Sequence, residues 1–171
     1  MIDPDTSFNN EELLDCSDPS KPVTRLQRLH AWFWRGFLVA SLAVAWYCFY
    51  VPSNSILWAE DFATAKEQAS ESNKPLILFF TGDWCVPCRI MKRTVWADQE
   101  VANLVNKGFI PLLIDVDTSQ DKHLLERYNV RGTPITIITD SKGHALRWRV
   151  GGIDKTEFLE LLLHQENTAK G

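Results

Sequence analysis

The sequence lacks a second cysteine or histidine pair at metal-binding spacing, so it does not encode a four-ligand zinc site. It also lacks a basic excess: 18 lysines and arginines stand against 22 acidic residues, which gives no footprint for nucleic acid. Cysteine is scarce, and only Cys85 and Cys88 of the four fall in what reads as a folded domain. The chain is therefore no disulfide-stapled scaffold, and Cys16 and Cys48 are interpreted as incidental.

Charge is absent between Gly36 and Val51, and aromatic residues flank both ends of this run. Sixteen helical residues cover about 24 Å, slightly less than the ~30 Å hydrocarbon core of a bilayer. Residues 31–34 can extend the span if the Arg35 side chain reaches the membrane interface. The run therefore predicts a single transmembrane anchor over residues 31–52, preceded by a disordered tail over residues 1–30.

The flanks of this run differ in charge. The upstream side carries four cations, whereas residues 52–70 carry only Lys66. The positive-inside rule predicts a cytoplasmic amino terminus and an extracytoplasmic domain over residues 53–171, on a single pass through the inner (cytoplasmic) membrane. Two alternatives stay open: a cleaved signal peptide with a small-residue site at residues 43–45, and a helix of a soluble protein.

Cys85 and Cys88 stand three positions apart and closely follow the apolar run Leu76–Phe80, which has the length of a buried strand. They lie where a strand gives way to a helix, and the free N–H groups and macrodipole of a helix start stabilise an anion. This favours the thiolate of Cys85, the attacking form in disulfide exchange, with Cys88 as the resolving partner. Pro87 suits the first helical turn. A structural disulfide and two unrelated thiols are the competing interpretations.

Helical and strand patterns alternate from about residue 58 onward. The predicted elements are, in order, a helix at Phe62–Ser72, a strand at Leu76–Phe80, a helix after the cysteines that breaks near Trp96 and restarts at Asp98, a strand at Phe109–Val116, a helix at Asp121–Tyr128, strands at Ile135–Thr139 and Leu146–Val150, and a helix at Asp154–Gln165. This order predicts an α/β fold with a mixed central sheet and helices on both faces.

The Trp84-Cys85-x-x-Cys88 motif, the later Gly132-Thr133-Pro134 and this order of elements together resemble the thioredoxin superfamily over roughly residues 60–167. The stretch around the cysteines and the segment Thr94–Val101 are similar to the periplasmic thioredoxin-like domain at the carboxy end of DsbD-type electron carriers. The resemblance implies a thioredoxin fold, here on a single membrane anchor.

The resemblance also implies roles for site residues. The Thr133–Pro134 bond would be cis, and the Thr133 backbone would bind an extended substrate strand, a form of β-augmentation. Trp84 would shape the rim of the site. The substrates would be protein disulfides, the electrons would come from a membrane donor, and a redox-active Cys85–Cys88 disulfide would serve in place of any bound cofactor or metal.

Two positions depart from the family pattern. Thioredoxins usually carry a buried acid six positions before the first cysteine, where this chain has Phe79. DsbD-type domains have an acid four positions after the second cysteine, where this chain has Lys92. Asp83 and Arg89 are the charged residues nearest in sequence and are candidate modulators: the cation favours a nearby thiolate and the acid disfavours it.

These observations predict a membrane-anchored thiol–disulfide oxidoreductase that reduces extracytoplasmic protein disulfides, since Pro87 resembles the reducing thioredoxins. A non-catalytic thioredoxin-like binding module in a membrane assembly is the first alternative. A copper carrier that uses the two thiolates as soft ligands is the second. Such carriers usually supply a histidine, and His123, His144 and His164 lie outside any ligand motif.

Overall fold

A computed structural model describes residues 24–117 and 122–168, and the chain divides into two compact units, Met1–Cys48 and Phe49–Gly171. Helix α1 spans Arg25–Phe49, all but its last residue in the first unit, and none of its residues is buried. Within the described part of the chain, α1 is the one helix whose length and apolar composition would allow it to cross a membrane. The helix begins six residues before the anchor predicted from the sequence. The predicted tail falls largely on residues 1–23, outside the described residues, as does Cys16.

The second unit contains five α-helices and four strands in the described ranges. They are α2 (Phe62–Ser72), β1 (Leu76–Thr81), α3 (Val86–Met91), α4 (Gln99–Gly108), β2 (Ile110–Asp115), α5 (Lys122–Arg127), β3 (Ile135–Thr139), β4 (Ala145–Val150) and α6 (Lys155–Thr168). The order matches the sequence-based prediction, and α2 has the predicted bounds because both ends are capped. The Asp61 side chain accepts a hydrogen bond from the Thr64 amide, and Asn73 ends the helix in the left-handed region.

The four strands form one mixed sheet in the order β2-β1-β3-β4. β1 is parallel to β2 and antiparallel to β3, and β3 is antiparallel to β4. The carboxyl end of β1 therefore lies beside the carboxyl end of β2 and the amino end of β3: Thr81 pairs with Asp115, and Phe80 with Ile135. The predicted α/β fold with a mixed central sheet is confirmed.

The sheet separates two layers of core. The dithiol layer contains both site cysteines together with apolar residues of β1 and the helices; its largest members are Phe79, Met91, Trp96 and Phe158. The opposite layer contains Leu78, Phe80, Ile114, Leu124 and Ile137 among others. β1 supplies both layers because alternate side chains of a strand point to opposite faces. All six of its residues are buried, as the continuous apolar run predicts.

The predicted helix break near Trp96 takes a specific form. α3 continues as a π-helical turn over Lys92–Trp96, and α4 then begins after Asp98. The Asp98 carboxylate caps α4 by accepting hydrogen bonds from the Glu100 and Val101 amides, as the sequence predicted. Lys155, at the start of α6, forms ion pairs with Asp98 (2.9 Å) and Glu100 (2.8 Å), which tie the last helix to this cap.

Candidate active site

Cys85 and Cys88 lie four and seven residues after the last residue of β1, and they form a disulfide with a Cα–Cα distance of 5.2 Å. Cys85 is the N-cap residue of α3, and Pro87 lies in the first turn of that helix. Both cysteines are almost completely buried, Cys85 at 2% and Cys88 at 0% exposure. Only a small part of Cys85 is therefore open to an attacking group, and Cys88 is shielded from solvent.

The backbone around the pair favours a negative charge on Cys85. The Cys88 amide donates a hydrogen bond to the Cys85 Sγ at 3.2 Å. When the disulfide is reduced, the same N–H group at the helix start can stabilise a thiolate on Cys85. Because the thiolate is the nucleophile in disulfide exchange, this geometry suits Cys85 to the attacking role that the sequence predicted.

Thr133 and Pro134 lie at the same end of the sheet. Pro134 directly precedes Ile135, which pairs with Phe80 near the end of β1, and the Thr133–Pro134 peptide bond is cis. The Gly151 amide donates a hydrogen bond of 2.8 Å to the Pro134 carbonyl, and Gly151 has a φ of +94°, a region that glycine adopts without strain. The segment after β4 thus fixes the backbone at the cis proline, a role for Gly151 that the sequence analysis missed.

Trp84 is 64% exposed beside the disulfide, and its indole is held by a residue that the sequence analysis also missed. Trp84 Nε1 donates to Asp117 Oδ1 at 3.3 Å, and the Asp117 amide donates to Asp115 Oδ1 at 2.9 Å. A Cβ on Gly82 would lie 3.2 Å from both Asp117 Oδ2 and Trp84 Nε1, so glycine leaves room for this contact. The only signal in the sequence for this contact was that Asp117 follows a predicted strand; that strand, β2, is parallel to β1.

The two candidate modulators lie on opposite sides of Cys85 in the chain, Asp83 in the loop after β1 and Arg89 on α3. The Asp83 side chain is exposed, and the Asp83 carbonyl accepts a hydrogen bond of 3.4 Å from Arg89 Nη1. Arg89 is half-buried and its Nε is buried without a hydrogen-bond partner. The guanidinium of Arg89 thus extends back over the loop that carries Trp84, while its effect on the thiols remains a prediction.

The dithiol layer contains an aromatic cluster where thioredoxins usually have the acid. Phe79 is completely buried, and its ring lies 5.1 Å from that of Trp96, which in turn contacts Trp58 and Phe158 at centroid distances of 4.9 and 4.8 Å. The buried polar residues among those described are three threonines, and none is a carboxylate. The sulfur of Cys88 therefore lies in an apolar layer, an environment that disfavours charged groups.

The histidines considered as copper ligands lie elsewhere. His144 is exposed and forms a 2.9 Å contact with Asp140, and His123 is exposed on α5. The His164 side chain lies outside the described residues. Across the residues that the structure describes, no three histidine, cysteine, aspartate or glutamate side chains gather in a group that could hold a metal ion.

Residues 57–141 match the protein family described as thioredoxin-like. The chain carries a domain of the thioredoxin superfamily. This thioredoxin-like domain is similar to the thiol:disulfide interchange protein DsbD of Ralstonia nicotianae, with 33% identity over 108 residues. That alignment covers 62% of this chain and 18% of the relative, so the chain spans less than a fifth of the length of the curated protein that it matches.

Solved structures agree with this assignment. A thioredoxin from Thermus thermophilus superimposes with a TM-score of 0.59 and 26% identity, covering 64% of this chain and 86% of that one. The oxidised C-terminal domain of DsbD from Neisseria meningitidis superimposes with a TM-score of 0.52 and 25% identity, covering 60% and 90% of the two chains. The Cys85–Cys88 disulfide lies within this thioredoxin-like domain.

Proposed function

We propose that this protein is a membrane-anchored thiol–disulfide oxidoreductase that reduces disulfides of extracytoplasmic proteins. The observation that carries the proposal is the position of Cys85, which caps α3 and accepts a hydrogen bond from the Cys88 amide. The similarity to DsbD supports protein disulfides as the substrates and an extracytoplasmic location. Pro87 between the cysteines, as in the reducing thioredoxins, favours the reducing direction.

The proposed reaction begins with the reduced dithiol. The Cys85 thiolate attacks one sulfur of the target disulfide; a Cys85–target bond forms, the target S–S bond breaks, and the departing target thiolate takes up a proton. Cys88 then loses its proton, and its thiolate attacks the Cys85 sulfur. The mixed disulfide breaks, and the target leaves with two electrons while Cys85 and Cys88 become oxidised.

A further turnover needs a dithiol donor that returns two electrons to the Cys85–Cys88 disulfide. An oxidising compartment supplies no such electrons, so the donor would be a membrane protein that carries them from the cytoplasm. The same two-step exchange, run in reverse, transfers electrons from this donor to Cys85 and Cys88. The binding groove for either partner would be formed by Trp84, Thr133 and Pro134.

Helix α1 supports the anchor. Its 25 residues span about 37 Å, enough to cross a ~30 Å hydrocarbon core with some tilt. The cations of the helix, Arg25, Arg28 and Arg35, lie in its amino-terminal half. The positive-inside rule then orients the thioredoxin-like domain away from the cytoplasm.

The first test is the reduction potential of the full chain in detergent, with Cys16→Ser and Cys48→Ser to remove the other thiols, equilibrated against glutathione. A potential near about −270 mV, that of thioredoxin, supports a reductase. A potential near about −120 mV would reverse the direction and indicate a disulfide donor. A pair that does not exchange with glutathione would contradict the oxidoreductase assignment and favour a binding module.

Trapping experiments test the roles of the two thiols. In the same background, Cys88→Ser should accumulate a mixed disulfide with a disulfide-containing substrate, because Cys85 can attack but the adduct is not resolved. The matched variant Cys85→Ser should form no adduct and lose turnover. Adducts on Cys88 alone would invert the assignment of the two roles.

The proposed topology can be tested with single cysteines in intact cells. In a background that lacks the other three cysteines, Cys16 should resist a membrane-impermeant maleimide. A Ser53→Cys variant in the cysteine-free chain should react with it. The reverse pattern would place the domain in the cytoplasm, and equal labelling of both positions would contradict a spanning helix.

A further inference from the structure

The exposed edge of β4 could pair with another extended chain. It is the outer strand of the sheet, and its free edge is paired with no strand in the described ranges. Five of its six residues are exposed, including Trp148 at 61% and Val150 at 73%. An unpaired strand edge exposes backbone N–H and C=O groups that can pair with another extended chain.

The two faces of β4 differ in chemistry. Trp148 and Val150 are the cross-strand partners of Ile137 and Ile135, so they share the face of the opposite core layer. Arg147 and Arg149 point to the other face, as the partners of Ile138 and Thr136. From Arg147 to Val150, after an irregularity at the start of the strand, β4 therefore alternates guanidinium groups on one face with apolar side chains on the other.

A hollow in the surface lies beside each face of β4. On the apolar face, a hollow of about 450 Å³ is lined mainly by apolar and aromatic residues, with two polar ones at its wall: Tyr128, Ile135, Ile137, Ala145, Trp148 and Val150, with Arg127 and Asn129. A smaller hollow of about 240 Å³ lies beside Arg147 and Arg149, and Leu146, Trp148 and Leu161 complete its lining. The lining of neither hollow includes an acidic residue.

The cations of β4 are available to a partner. The ion pairs among the described residues involve Lys155 and His144 and do not include Arg147 or Arg149. Pairing with the β4 of a second copy would place arginine beside arginine on one face, because an antiparallel strand keeps its alternation of faces. Like charges opposite each other are destabilising, so the surface does not suit a second copy of this chain.

We infer that the free edge of β4 binds an extended segment of an acidic partner protein, in which acidic and apolar residues alternate. Such a segment would pair with the edge as a fifth strand and place its carboxylates next to Arg147 and Arg149. Its apolar side chains would enter the hollow beside Trp148. The concave apolar face favours side chains of a peptide over the flat surface of a bilayer.

The test uses the full chain in an uncharged detergent and two capped hexapeptides, one alternating Glu and Val and one alternating Lys and Val. Calorimetric titration should show binding of the glutamate peptide at least about tenfold tighter than that of the lysine peptide. Hydrogen exchange should slow in Ala145–Val150 when the glutamate peptide is bound. Equal affinity for the two peptides, or no protection of β4, would overturn the inference.

Variants connect the binding to the named side chains. The double variant Arg147→Glu/Arg149→Glu should reverse the preference toward the lysine peptide, and Trp148→Ser should weaken binding of the glutamate peptide severalfold. A control with the same change of charge, Lys66→Glu/Lys107→Glu on the exposed surfaces of α2 and α4, should leave the preference unchanged. Unchanged binding in the β4 double variant would contradict the proposed site.

Two more measurements distinguish a peptide site on β4 from a lipid-binding surface and from an effect of the dithiol. The first measures hydrogen exchange in Ala145–Val150 with lipid vesicles and no peptide. If phosphatidylglycerol vesicles slow this exchange and phosphatidylcholine vesicles do not, the occupant is an anionic lipid surface and the peptide site is overturned. The second measures redox properties, because peptide binding at β4 does not involve Cys85 or Cys88. The β4 double variant should therefore keep the reduction potential and the Cys85 adduct of the unaltered chain, whatever the peptides do.

Discussion

Phe79 and Phe80 are neighbours in β1, and both are completely buried, yet they belong to different layers of the core. Phe79 lies in the dithiol layer with Cys85, Cys88 and the Trp96 cluster, whereas Phe80 lies with the aliphatic residues of the opposite layer. The two layers serve the same purpose for folding, since each removes apolar surface from water. Only the dithiol layer surrounds a reactive group, so its composition also affects chemistry.

Alanine substitution of the two phenylalanines should separate stability from reactivity. Phe79→Ala and Phe80→Ala should each lower the free energy of unfolding by about 3–5 kcal/mol, because each removes a fully buried ring and leaves a cavity. Urea unfolding measures this loss. The milder Phe79→Leu should change the rate of mixed-disulfide resolution while Phe80→Leu does not. Similar rates in both leucine variants would show that the layers do not differ in chemistry.

An acid introduced into the dithiol layer should accelerate the second step of the reaction. Phe79→Asp places a carboxyl group in the dithiol layer. At a pH at which this buried carboxyl is ionised, it can take the proton of Cys88, so resolution of the mixed disulfide should become at least about tenfold faster there. Rapid-mixing measurements of substrate release from the Cys85 adduct test this. Phe80→Asp is the matched control: it should destabilise the domain to a similar extent without acceleration, and acceleration in both variants would refute the role of the layer.

Loss of the Trp84–Asp117 hydrogen bond should have a smaller effect, confined to substrate capture. Asp117→Ala frees the Trp84 indole, and a hydrogen bond worth about 1 kcal/mol corresponds to a change of about fivefold in KM with little change in kcat. Steady-state reduction of insulin gives both constants. Asp117→Asn keeps an acceptor for the indole and should stay close to the unaltered protein; an equal loss in both variants would point to the charge instead.

The weakest expected effect concerns the clamp between α4 and α6. The hydrogen bond from Lys155 holds the pKa of Asp98 below its ordinary value of 3.8, and the N–H groups that Asp98 caps add to this effect. A carboxyl whose pKa is lower in the folded state stabilises the fold above its unfolded pKa, and this stability is lost as the pH falls through the folded value. The melting temperature of Asp98→Asn should therefore fall less than that of the unaltered protein as the pH decreases below about 4. An unchanged acid transition would contradict this role.

The sequence predicted the elements of the domain well where local chemistry determines them. Helix α2 has a capping aspartate and a terminating Asn-Lys-Pro stretch, and β1 is a continuous apolar run, so their patterns specify them without reference to the rest of the chain. The position of Cys85 at a helix start followed from the same local reasoning. The ends of β2 depend on the neighbouring strands, and each lies one residue inside the predicted strand Phe109–Val116.

Contacts between distant segments could not be read in the same way. Asp117 holds Trp84 because β1 and β2 end side by side, and the loop containing Gly151 holds Pro134 because β4 follows β3 at the sheet edge. Each contact depends on strand order and register, which a single sequence does not specify. The sequence showed that Phe79 stands where the acid is expected. It did not show the surrounding aromatic cluster, because that cluster forms only when α6 and the segment before α2 pack against Trp96.

The π-helical turn at Lys92–Trp96 gives this region a sensitivity to chain length. A π turn holds one residue more than an α turn, and each helical residue rotates the chain by about 100°. Deleting one residue from Lys92–Val95 would remove this extra residue, so the helix would continue as a regular α-helix and Trp96 would keep its direction. Inserting one residue would instead rotate the indole of Trp96 by about 100°, out of the dithiol layer. An insertion here would therefore act on the reactive site itself, whereas the deletion of one residue, or the exchange of one residue for another on the adjacent surface of the helix, would be tolerated.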